Sequence, residues 1–150
     1  MGDKLHVKIL TAEKTLCDCE AGIVVAPGWE GEFGVLPEHI SFLCALDIGV
    51  LEIKSAPNAE KADAVYAVHG GFLQVHDDDV LILATAAEAK EAIDIERARR
   101  AHARAEERLK DRGKEGLDIE RAEAALKRAF VRLALAEGRW FETVKAEEKS

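Results

Sequence analysis

Two periodicities follow one another along this chain. From Leu5 to Ile9 every second residue is apolar, which is the period of a half-buried β-strand. Further short apolar runs, separated by turn residues, lie at Ala21–Ala26, Ile48–Ile53, Ala64–His69, Phe72–Val75 and Val80–Leu83. Pro27-Gly28 and Asp77-Asp78-Asp79 are the clearest turn signals, and a bulge is expected in the run that begins at Ile48. This spacing predicts an antiparallel β-sandwich over residues 1–87.

The second periodicity is helical and begins after Asp94, a good N-cap residue. Residues 88–150 contain no proline and are rich in Ala, Glu, Arg and Leu, which favour helix. Gly113 and Gly116 interrupt the pattern, and Asp118 restarts it as a second N-cap. The two stripes, with alternating spacings of three and four, are Ile95, Ala98, His102, Ala105 and Leu109, then Ile119, Ala122, Leu126, Ala129, Leu133, Ala136 and Trp140. They predict an antiparallel two-helix hairpin, so the expected fold class is α+β.

Alanine dominates both helical stripes. Each alanine buries little apolar area, so each contact contributes little stability at roughly 25 cal/mol per Å². The hairpin is therefore expected to be only marginally stable against opening.

Charge divides the chain at the same place. Residues 1–87 carry 5 Lys, no Arg and 14 Asp or Glu, whereas residues 88–150 carry 16 Lys or Arg against 15 acidic residues. The formal net charge of −8 argues against a general nucleic-acid binder. No apolar run approaches the roughly 20 residues needed to span a bilayer, and no apolar signal region follows Met1–Lys4. A cytosolic protein is expected, or one held at a membrane by a partner.

The cysteine and histidine residues do not indicate a disulfide framework, a metal site or a catalytic base. Cys17, Cys19 and Cys44 are an odd set without a signal peptide, which favours free thiols over a disulfide framework. Cys17-Asp18-Cys19 lacks the four ligands that a zinc site needs, so no metal site is predicted. His69 and His76 are expected to be surface or edge-strand residues.

The segment from Val25 to His39, VAPGWEGEFGVLPEH, closely resembles the signature loop of the epsilon subunits of F-type ATP synthases, PGxEGExGxLPxH. Gly70–Val75, GGFLQV, resembles a later strand of that family, and Ala84–Glu88, ATAAE, resembles its exit into the helices. The resemblance extends from Leu5 to Trp140. From the residues alone, the loop would be only a well-built turn between strands.

This resemblance implies a non-catalytic rotor subunit of bacterial type. The β-sandwich would dock on the gamma subunit and on the ring of c subunits, so that the chain is peripheral at the cytoplasmic face of the cell membrane through the complex alone. The signature loop becomes the expected contact with the polar loops of the c-ring. Glu30, Glu32 and His39 are the residues expected to make it.

A second motif concerns ATP as a regulatory ligand. Residues 93–98, IDIERA, match the I/L-D-x-x-R-A pattern by which some bacterial epsilon subunits bind ATP, and the resemblance adds a preceding glutamate and two arginines of the second helix. The implied site is Glu88, Ile93, Asp94, Arg97, Ala98, Arg128 and Arg132. Arg128 and Arg132 share one helix face and can hold phosphate oxygens in bidentate fashion. Against this, an Asp cap followed by Arg is common, and exposed helix arginines are usually only solvated.

No catalytic residues are predicted. The chain has no G-x-x-x-x-G-K-S/T phosphate loop and no Walker-type lysine or magnesium ligand set, so ATP hydrolysis by this chain is not expected. A β-sandwich enzyme with a helical tail remains an alternative, although no nucleophile, base and orienting group support it.

The resemblance further implies a hairpin with two states. The compact hairpin would permit rotation, and the extended one would insert along gamma into the alpha/beta catalytic head and hinder ATP hydrolysis. Basic residues expected to contact the head are Arg99, Arg100, Arg104, Arg108, Arg121 and Arg139. ATP would stabilise the compact state. The alternative is a purely structural coupling subunit that binds no nucleotide.

The chain departs from the family in three places. His69 stands where a small residue often precedes the two glycines, and Lys54–Asp63 reads as a variable loop. The tail from Trp140 to Ser150 is longer than in many relatives. Trp140 and Phe141 either pack on the sandwich or belong to a modified inhibitory contact, and the sequence leaves both open.

Overall fold

The computed structural model describes residues 4–111, 113, 116 and 118–138. The chain forms two compact units, of which the first ends at Ala89 and the second begins at Lys90. The first is built from β-strands and the second from helices, so the predicted α+β fold class is confirmed. The expectations for Arg139, Trp140 and Phe141 fall outside the described residues.

Eight strands make up the first unit. They are β1 (Leu5–Leu10), β2 (Thr15–Ala21), β3 (Ile23–Gly28), β4 (Gly31–Val35), β5 (Phe42–Lys54), β6 (Ala64–His76), β7 (Asp79–Ala84) and β8 (Ala87–Ala89). Their order is β2-β1-β7-β6-β5-β3-β4, with β8 also paired to β6. All pairs are antiparallel except β1 with β7, which is parallel.

The long strands β5 and β6 turn the corner between the two layers of the sandwich. Their pairing runs from Leu46 opposite Gly71 to Ile48 opposite His69, so that one residue of each strand is skipped. Leu73 is buried in the core on one side of this break and Val68 on the other, which shows that the inward phase of β6 changes there. Because both strands skip one residue, the register is the same on either side, and the two strands bend together from one layer into the other.

The corner requires glycine at position 71. Gly71 has φ +123°, and a Cβ atom added there would lie 2.1 Å from the carbonyl oxygen of Leu83. No L side chain fits that approach without a shift of the backbone.

A single apolar core joins the two layers. Leu5, Val7 and Ile9, the predicted alternating positions of β1, are completely buried. Val24 and Leu51 contribute to the same core from the other layer. Because both layers contribute to one cluster, they face each other as a sandwich.

The structure differs from the sequence-based expectation at Pro27-Gly28. These residues do not stop the strand but belong to β3, where Pro27 pairs with Glu32 of β4. The pairing between β3 and β5 is irregular between Val25 and Gly28. Proline is tolerated at such an irregularity because it has no N–H to donate.

The second unit consists of a 3₁₀ turn (Lys90–Ala92), α1 (Ile95–Lys110) and α2 (Ile119–Ala136). The Oδ1 atoms of Asp94 and Asp118 each accept a hydrogen bond from a backbone N–H three residues later, at 3.1 Å, so both predicted N-caps are confirmed. Among the helices of the described residues, none is long and apolar enough to cross a membrane.

The seam between α1 and α2 contains small residues. Its buried members are Ala98, Ala105, Ala122 and Ala129, all from the two predicted stripes. α2 also buries Val131, Ala134 and Leu135, which lie on a different face of the helix. The predicted stripe of α2 accounts for only one of these two apolar faces.

Candidate functional site

One end of the β unit gathers acidic side chains. Phe42 pairs with Val75, which places the loop before β5 beside the turn between β6 and β7. The backbone N–H of Glu38 donates to Asp78 Oδ1 at 2.6 Å and joins the two segments. We call this region the acidic end; its carboxylates are Glu30, Glu32, Glu38, Asp77, Asp78 and Asp79.

The backbone of the acidic end is held in uncommon conformations. Asp77 and Asp78 have φ of 46° and 63°, the pattern of a two-residue type I′ hairpin turn. Glu38 also has a positive φ, 67°. Asp tolerates this region better than most residues, so the aspartates that make the turn also supply its charge.

The predicted c-ring residues lie at this end. Glu30 is exposed in the β3–β4 turn, Glu32 is exposed on β4, and His39 is half-buried in the loop that follows. His39 Nδ1–H donates to the carbonyl oxygen of Ile40 at 2.7 Å, and its ring lies 5.2 Å from that of Phe42. His39 therefore anchors the loop, whereas the two glutamates face solvent.

An exposed apolar row crosses the outer face of one layer. Strand pairing places Leu10 beside Leu83, Leu83 beside Phe72, and Phe72 beside Ala45. Phe72 is 54% exposed and Leu83 49%, and Leu43 on the same face is 66% exposed. We call these five residues the apolar row. Contiguous apolar surface of this kind marks interaction sites in soluble proteins.

One signal for this row is present in the sequence of β7. Val80–Leu83 is apolar at four successive positions, whereas a strand with one solvated face should alternate. In the structure Val80 and Ile82 face the core, while Leu83 lies on the outer face.

His6 lies between two carboxylates on the same outer face. Its Nε2 is 2.5 Å from Asp18 Oδ1, and its Nδ1 is 3.3 Å from Asp79 Oδ1. The hydrogen bond with Asp18, with a smaller contribution from Asp79, raises the pKa of His6 above its ordinary value of 6.5. The three residues join β2, β1 and β7.

His69 is not the surface residue that the sequence suggested. Its side chain is only 2% exposed, and its Nε2 lies 3.3 Å from Glu88 Oε1. Its other ring nitrogen, Nδ1, is buried and has no hydrogen-bond partner. The expectation failed because position 69 lies in the middle of the sheet, where His69 pairs with Ile48 of β5 and its backbone N–H donates to the carbonyl oxygen of Ala86.

The residues predicted to bind ATP are divided between the units. Glu88 lies on β8 of the first unit, and the remaining six belong to the second. Asp94 caps α1 through the N–H of Arg97, and Arg97 itself is exposed in the first turn. Ala98 is buried in the helix seam, and Ile93 is half-buried before the cap.

Arg128 and Arg132 lie on α2, and both are half-buried. An ion pair of 3.5 Å between Arg99 and Glu137 places the start of α1 beside the end of α2. At 3.6 residues per turn, Arg132 is about one and a half turns from Glu137 and Arg128 about two and a half. The two arginines thus follow one another along α2, leading away from the N-terminus of α1.

Two of the three cysteines lie on β2, and the third, Cys44, lies on β5. Cys17 and Cys19 point towards the core from β2, with Sγ atoms 3.1 Å apart, and the cysteines are free thiols. Burial, together with the neighbouring Cys17 thiol, raises the pKa of Cys19 to about 12. Among the described residues, no three His, Cys, Asp or Glu side chains are grouped as metal ligands.

Comparison with known protein families matches both units. The family described as ATP synthase, Delta/Epsilon chain, beta-sandwich domain matches residues 4–90. The family described as ATP synthase, Delta/Epsilon chain, long alpha-helix domain matches residues 91–137. Together the two matches cover most of the chain.

Similar curated sequences carry one name, ATP synthase epsilon chain. The sequence from Carboxydothermus hydrogenoformans is 45% identical over 112 residues, which is 75% of this chain and 81% of the relative. The sequence from Nitratidesulfovibrio vulgaris (strain DP4) is 50% identical over 109 residues, 73% of this chain and 78% of the relative.

Two solved structures are also similar. A chain from a cryo-EM structure of the Euglena gracilis mitochondrial ATP synthase that includes the c-ring has a TM-score of 0.70 and 25% identity, and the match covers 85% of this chain and 78% of that one. A chain from the central stalk and c-ring of the Tetrahymena thermophila mitochondrial ATP synthase has a TM-score of 0.52 and 18% identity, with coverage of 90% and 95%. The second match shows a shared fold.

Proposed function

This chain belongs to the ATP synthase delta/epsilon chain family, and from that membership we propose that it is a non-catalytic rotor subunit that couples gamma to the ring of c subunits. Its relatives of 45% and 50% identity are named epsilon chain. The proposal rests on one observation: a single β unit presents two distinct surfaces, the apolar row and the acidic end. A coupling subunit needs two such surfaces, one for each partner.

The apolar row is the proposed contact with gamma. Phe72, Leu83 and Leu43 are each about half exposed or more, and strand pairing holds them in a fixed arrangement. A preformed apolar surface loses little conformational entropy on binding, because the strands are already ordered. Aromatic residues such as Phe72 are typical of the centre of such interfaces.

The acidic end is the proposed contact with the polar loops of the c-ring. Glu30 and Glu32 are exposed, and the turn at Asp77 and Asp78 adds carboxylates at the same end of β5 and β6. Exposed charges of one sign steer a partner of opposite charge and set its orientation more than they add affinity. The chain would thus be peripheral at the cytoplasmic face of the bacterial membrane.

The helical unit is the proposed regulatory element. Its seam is built from Ala98, Ala105, Ala122 and Ala129, whose small side chains bury little area. The compact hairpin would permit rotation, and an extended form would contact the alpha/beta head and hinder ATP hydrolysis. Two forms of similar free energy are needed for such a brake, and an alanine seam suits that requirement.

ATP is the proposed ligand that favours the compact hairpin. Asp94 and Glu88 would accept hydrogen bonds from the adenine or ribose. The phosphates would lie along α2, where Arg132 and Arg128 follow one another at successive turns. A ligand that binds only one form stabilises it by about 2.7 kcal/mol at a hundredfold excess over its dissociation constant.

Calorimetric titration of the chain with ATP tests the regulatory part. The parent chain should bind ATP, and Arg128→Ala should abolish measurable binding because a phosphate contact is lost. Arg121→Ala is the matched control, since Arg121 is an exposed arginine of the same helix outside the proposed site. Absence of both heat and thermal shift in the parent chain would leave the alternative, a coupling subunit that binds no nucleotide.

A further inference from the structure

Two thiols are in contact at one edge of the β unit. Cys17 and Cys19 belong to β2, which is an edge strand of the described sheet and has β1 as its neighbour. Their Sγ atoms are 3.1 Å apart, so that the S–H of one can donate to the sulfur of the other. The sulfur atoms of a disulfide bond lie about 2.05 Å apart. An approach of only about 1 Å therefore separates these thiols from a disulfide.

The two side chains leave the same face of the strand, because side chains two residues apart in a β-strand point the same way. Two residues of a strand span about 6.4–6.8 Å between their Cα atoms. This span is at the upper limit of the roughly 4.4–6.8 Å that a disulfide tolerates. A bond between Cys17 and Cys19 therefore requires a slight contraction of β2.

The pairing of β2 is already irregular at this point. Ile9 of β1 lies opposite Cys17, but Leu10 lies opposite Thr15, so that Leu16 is the extra residue of a bulge. Because an edge strand has a neighbour on one side only, its contraction disturbs one ladder of hydrogen bonds and not two. The bulge and the edge position both lower the free-energy cost of joining the two cysteines.

The thiols are accessible but differ in how readily Cys19 ionises. Both side chains are half-buried, so a small reagent can reach them from the edge of the sheet. Burial, together with the neighbouring thiol of Cys17, raises the pKa of Cys19 to about 12. The thiolate is the nucleophile in thiol–disulfide exchange. Cys17 is therefore expected to react first and Cys19 second.

We infer that Cys17 and Cys19 form a redox-active pair, which a low-molecular-weight disulfide such as oxidised glutathione converts to an intrastrand disulfide. Sγ of Cys17 attacks one sulfur of the reagent, whose S–S bond breaks, so that a mixed disulfide forms and one thiol leaves. Sγ of Cys19 gives up its proton to solvent, attacks Sγ of Cys17 and releases the second thiol. Two cysteine thiols lose two electrons and two protons, and the reagent gains them as it becomes two thiols.

The bond should also be easy to reverse. A disulfide across a contracted strand is strained, and strained or exposed disulfides are the labile kind that reducing thiols open again. The pair thus makes the β unit responsive to the thiol–disulfide balance of its surroundings.

Equilibration with glutathione under native conditions tests the inference. The full chain is incubated with mixtures of reduced and oxidised glutathione, the remaining thiols are alkylated, and the chain is cleaved after glutamate. Glu20 lies between Cys19 and Cys44, so the pair and Cys44 fall on separate peptides for mass spectrometry. The disulfide of the pair should exceed its glutathione adduct by at least about tenfold, because the second thiol is already in contact with the first.

Single variants separate the two steps. Cys19→Ser removes the second thiol and should trap glutathione on Cys17, with at least about tenfold more adduct than in the parent chain. Cys44→Ser is the matched control, because Cys44 lies on β5, where its S–H donates to the carbonyl oxygen of Ala45 at 3.3 Å. This variant should form the disulfide as the parent does. Cys19→Ala replaces Cys19→Ser if circular dichroism shows that the serine variant is unfolded.

Several results would overturn the inference. One is a parent chain that keeps both thiols of the pair in the most oxidising mixture, and another is a chain that collects glutathione adducts without the intrastrand bond. A disulfide that uses Cys44, or an adduct level in Cys19→Ser equal to that of the parent, would do the same. Loss of the β-strand circular dichroism signal on oxidation would show that the folded strand does not accommodate the bond.

Discussion

At the residue scale, His6 is a titratable side chain whose environment ties its charge to folding. Its two ring nitrogens face Asp18 and Asp79, and the contact with Asp18 is the larger cause of its raised pKa. The folded chain therefore binds this proton more tightly than the unfolded chain does. The resulting stability is fully present below the unfolded pKa of 6.5 and is lost as pH rises through the higher folded value.

We expect the free energy of unfolding to fall as pH rises above about 6.5, in part because of His6. Urea denaturation at a series of pH values measures this dependence. His6→Asn should flatten this pH dependence. His76→Asn is the control, because His76 is an exposed histidine that does not contact Asp18 or Asp79, and this variant should keep more of the pH dependence. An identical slope in the parent and in His6→Asn would contradict the assignment.

Asp94 has two roles that substitution can separate. It caps α1, and the proposed site also uses its carboxylate. Asp94→Ala should cost about 1 kcal/mol of helix stability, because the cap is lost. Asp94→Asn should keep the cap and the stability but weaken ATP binding, because the charge is lost.

Asp118 supplies the control for this prediction, since it caps α2 with the same 3.1 Å geometry and lies outside the proposed site. Asp118→Asn should leave ATP binding unchanged in calorimetry. Parent-like ATP binding by Asp94→Asn would show that Asp94 is only a cap.

At the scale of elements, the corner in β5 and β6 decides which side chains face outwards. The inward phase of β6 changes at Gly70-Gly71, and the positions after it place Phe72 on the outer face. Without the bend at the corner, the phase of the first half would continue and Phe72 would face the core. The apolar row depends on this single bend.

Gly71→Ala should therefore destabilise the β unit strongly. Gly31→Ala is a matched control, because Gly31 has φ +125° against +123° for Gly71, yet a Cβ at position 31 has no neighbour within 4 Å. Both variants carry backbone strain, but only Gly71→Ala adds a clash with the Leu83 carbonyl. We expect it to be less stable than Gly31→Ala by about 2 kcal/mol or more in chemical denaturation. Equal stability of the two variants would mean that the backbone near Leu83 moves away from a Cβ atom at position 71 at little cost in free energy.

At the scale of the whole molecule, the apolar row should control association with gamma. Phe72→Glu places a charge at the centre of the proposed interface and should weaken binding at least about tenfold, since a fully buried Phe contributes about 1.5–3 kcal/mol. Binding to purified gamma, measured by surface plasmon resonance, gives this value.

Gln74→Glu is the matched control for that measurement. Gln74 is an exposed residue of β6, two positions after Phe72 and on the same outer face. Its substitution by Glu adds the same charge outside the row. It should weaken binding much less than Phe72→Glu does. Equal effects of the two variants would indicate a general charge effect and would remove the row as the interface.

Much of the fold could be predicted because short-range rules determine it. The alternation in β1, the caps at Asp94 and Asp118 and the alanine stripes are all local patterns, and each is present in the structure. β2 was missed, because Cys17 and Cys19 were considered as possible ligands and not as the apolar positions of an alternating strand. β4 and β8 are short and were also missed.

The candidate site was less predictable from sequence. Glu30, Glu32 and His39 came from the resemblance to a family, and so did the ATP-binding set. The apolar row was not found, because its members come from four strands and only the sheet order makes them neighbours. The contact between Glu88 and His69 was missed for the same reason, since no local pattern pairs these two residues.

By itself, the sequence determined the family, the α+β class, the helix starts and the acidic character of the β part, because these follow from motifs and local periodicity. Only the tertiary structure decided that His69 is buried against Glu88, that His6 lies between two carboxylates, and that Phe72 and Leu83 form one surface. Each of these contacts joins residues on different strands. Their proximity depends on register and on the bend of β5 and β6 at the corner, which arise from packing the whole sandwich and are absent from any local pattern.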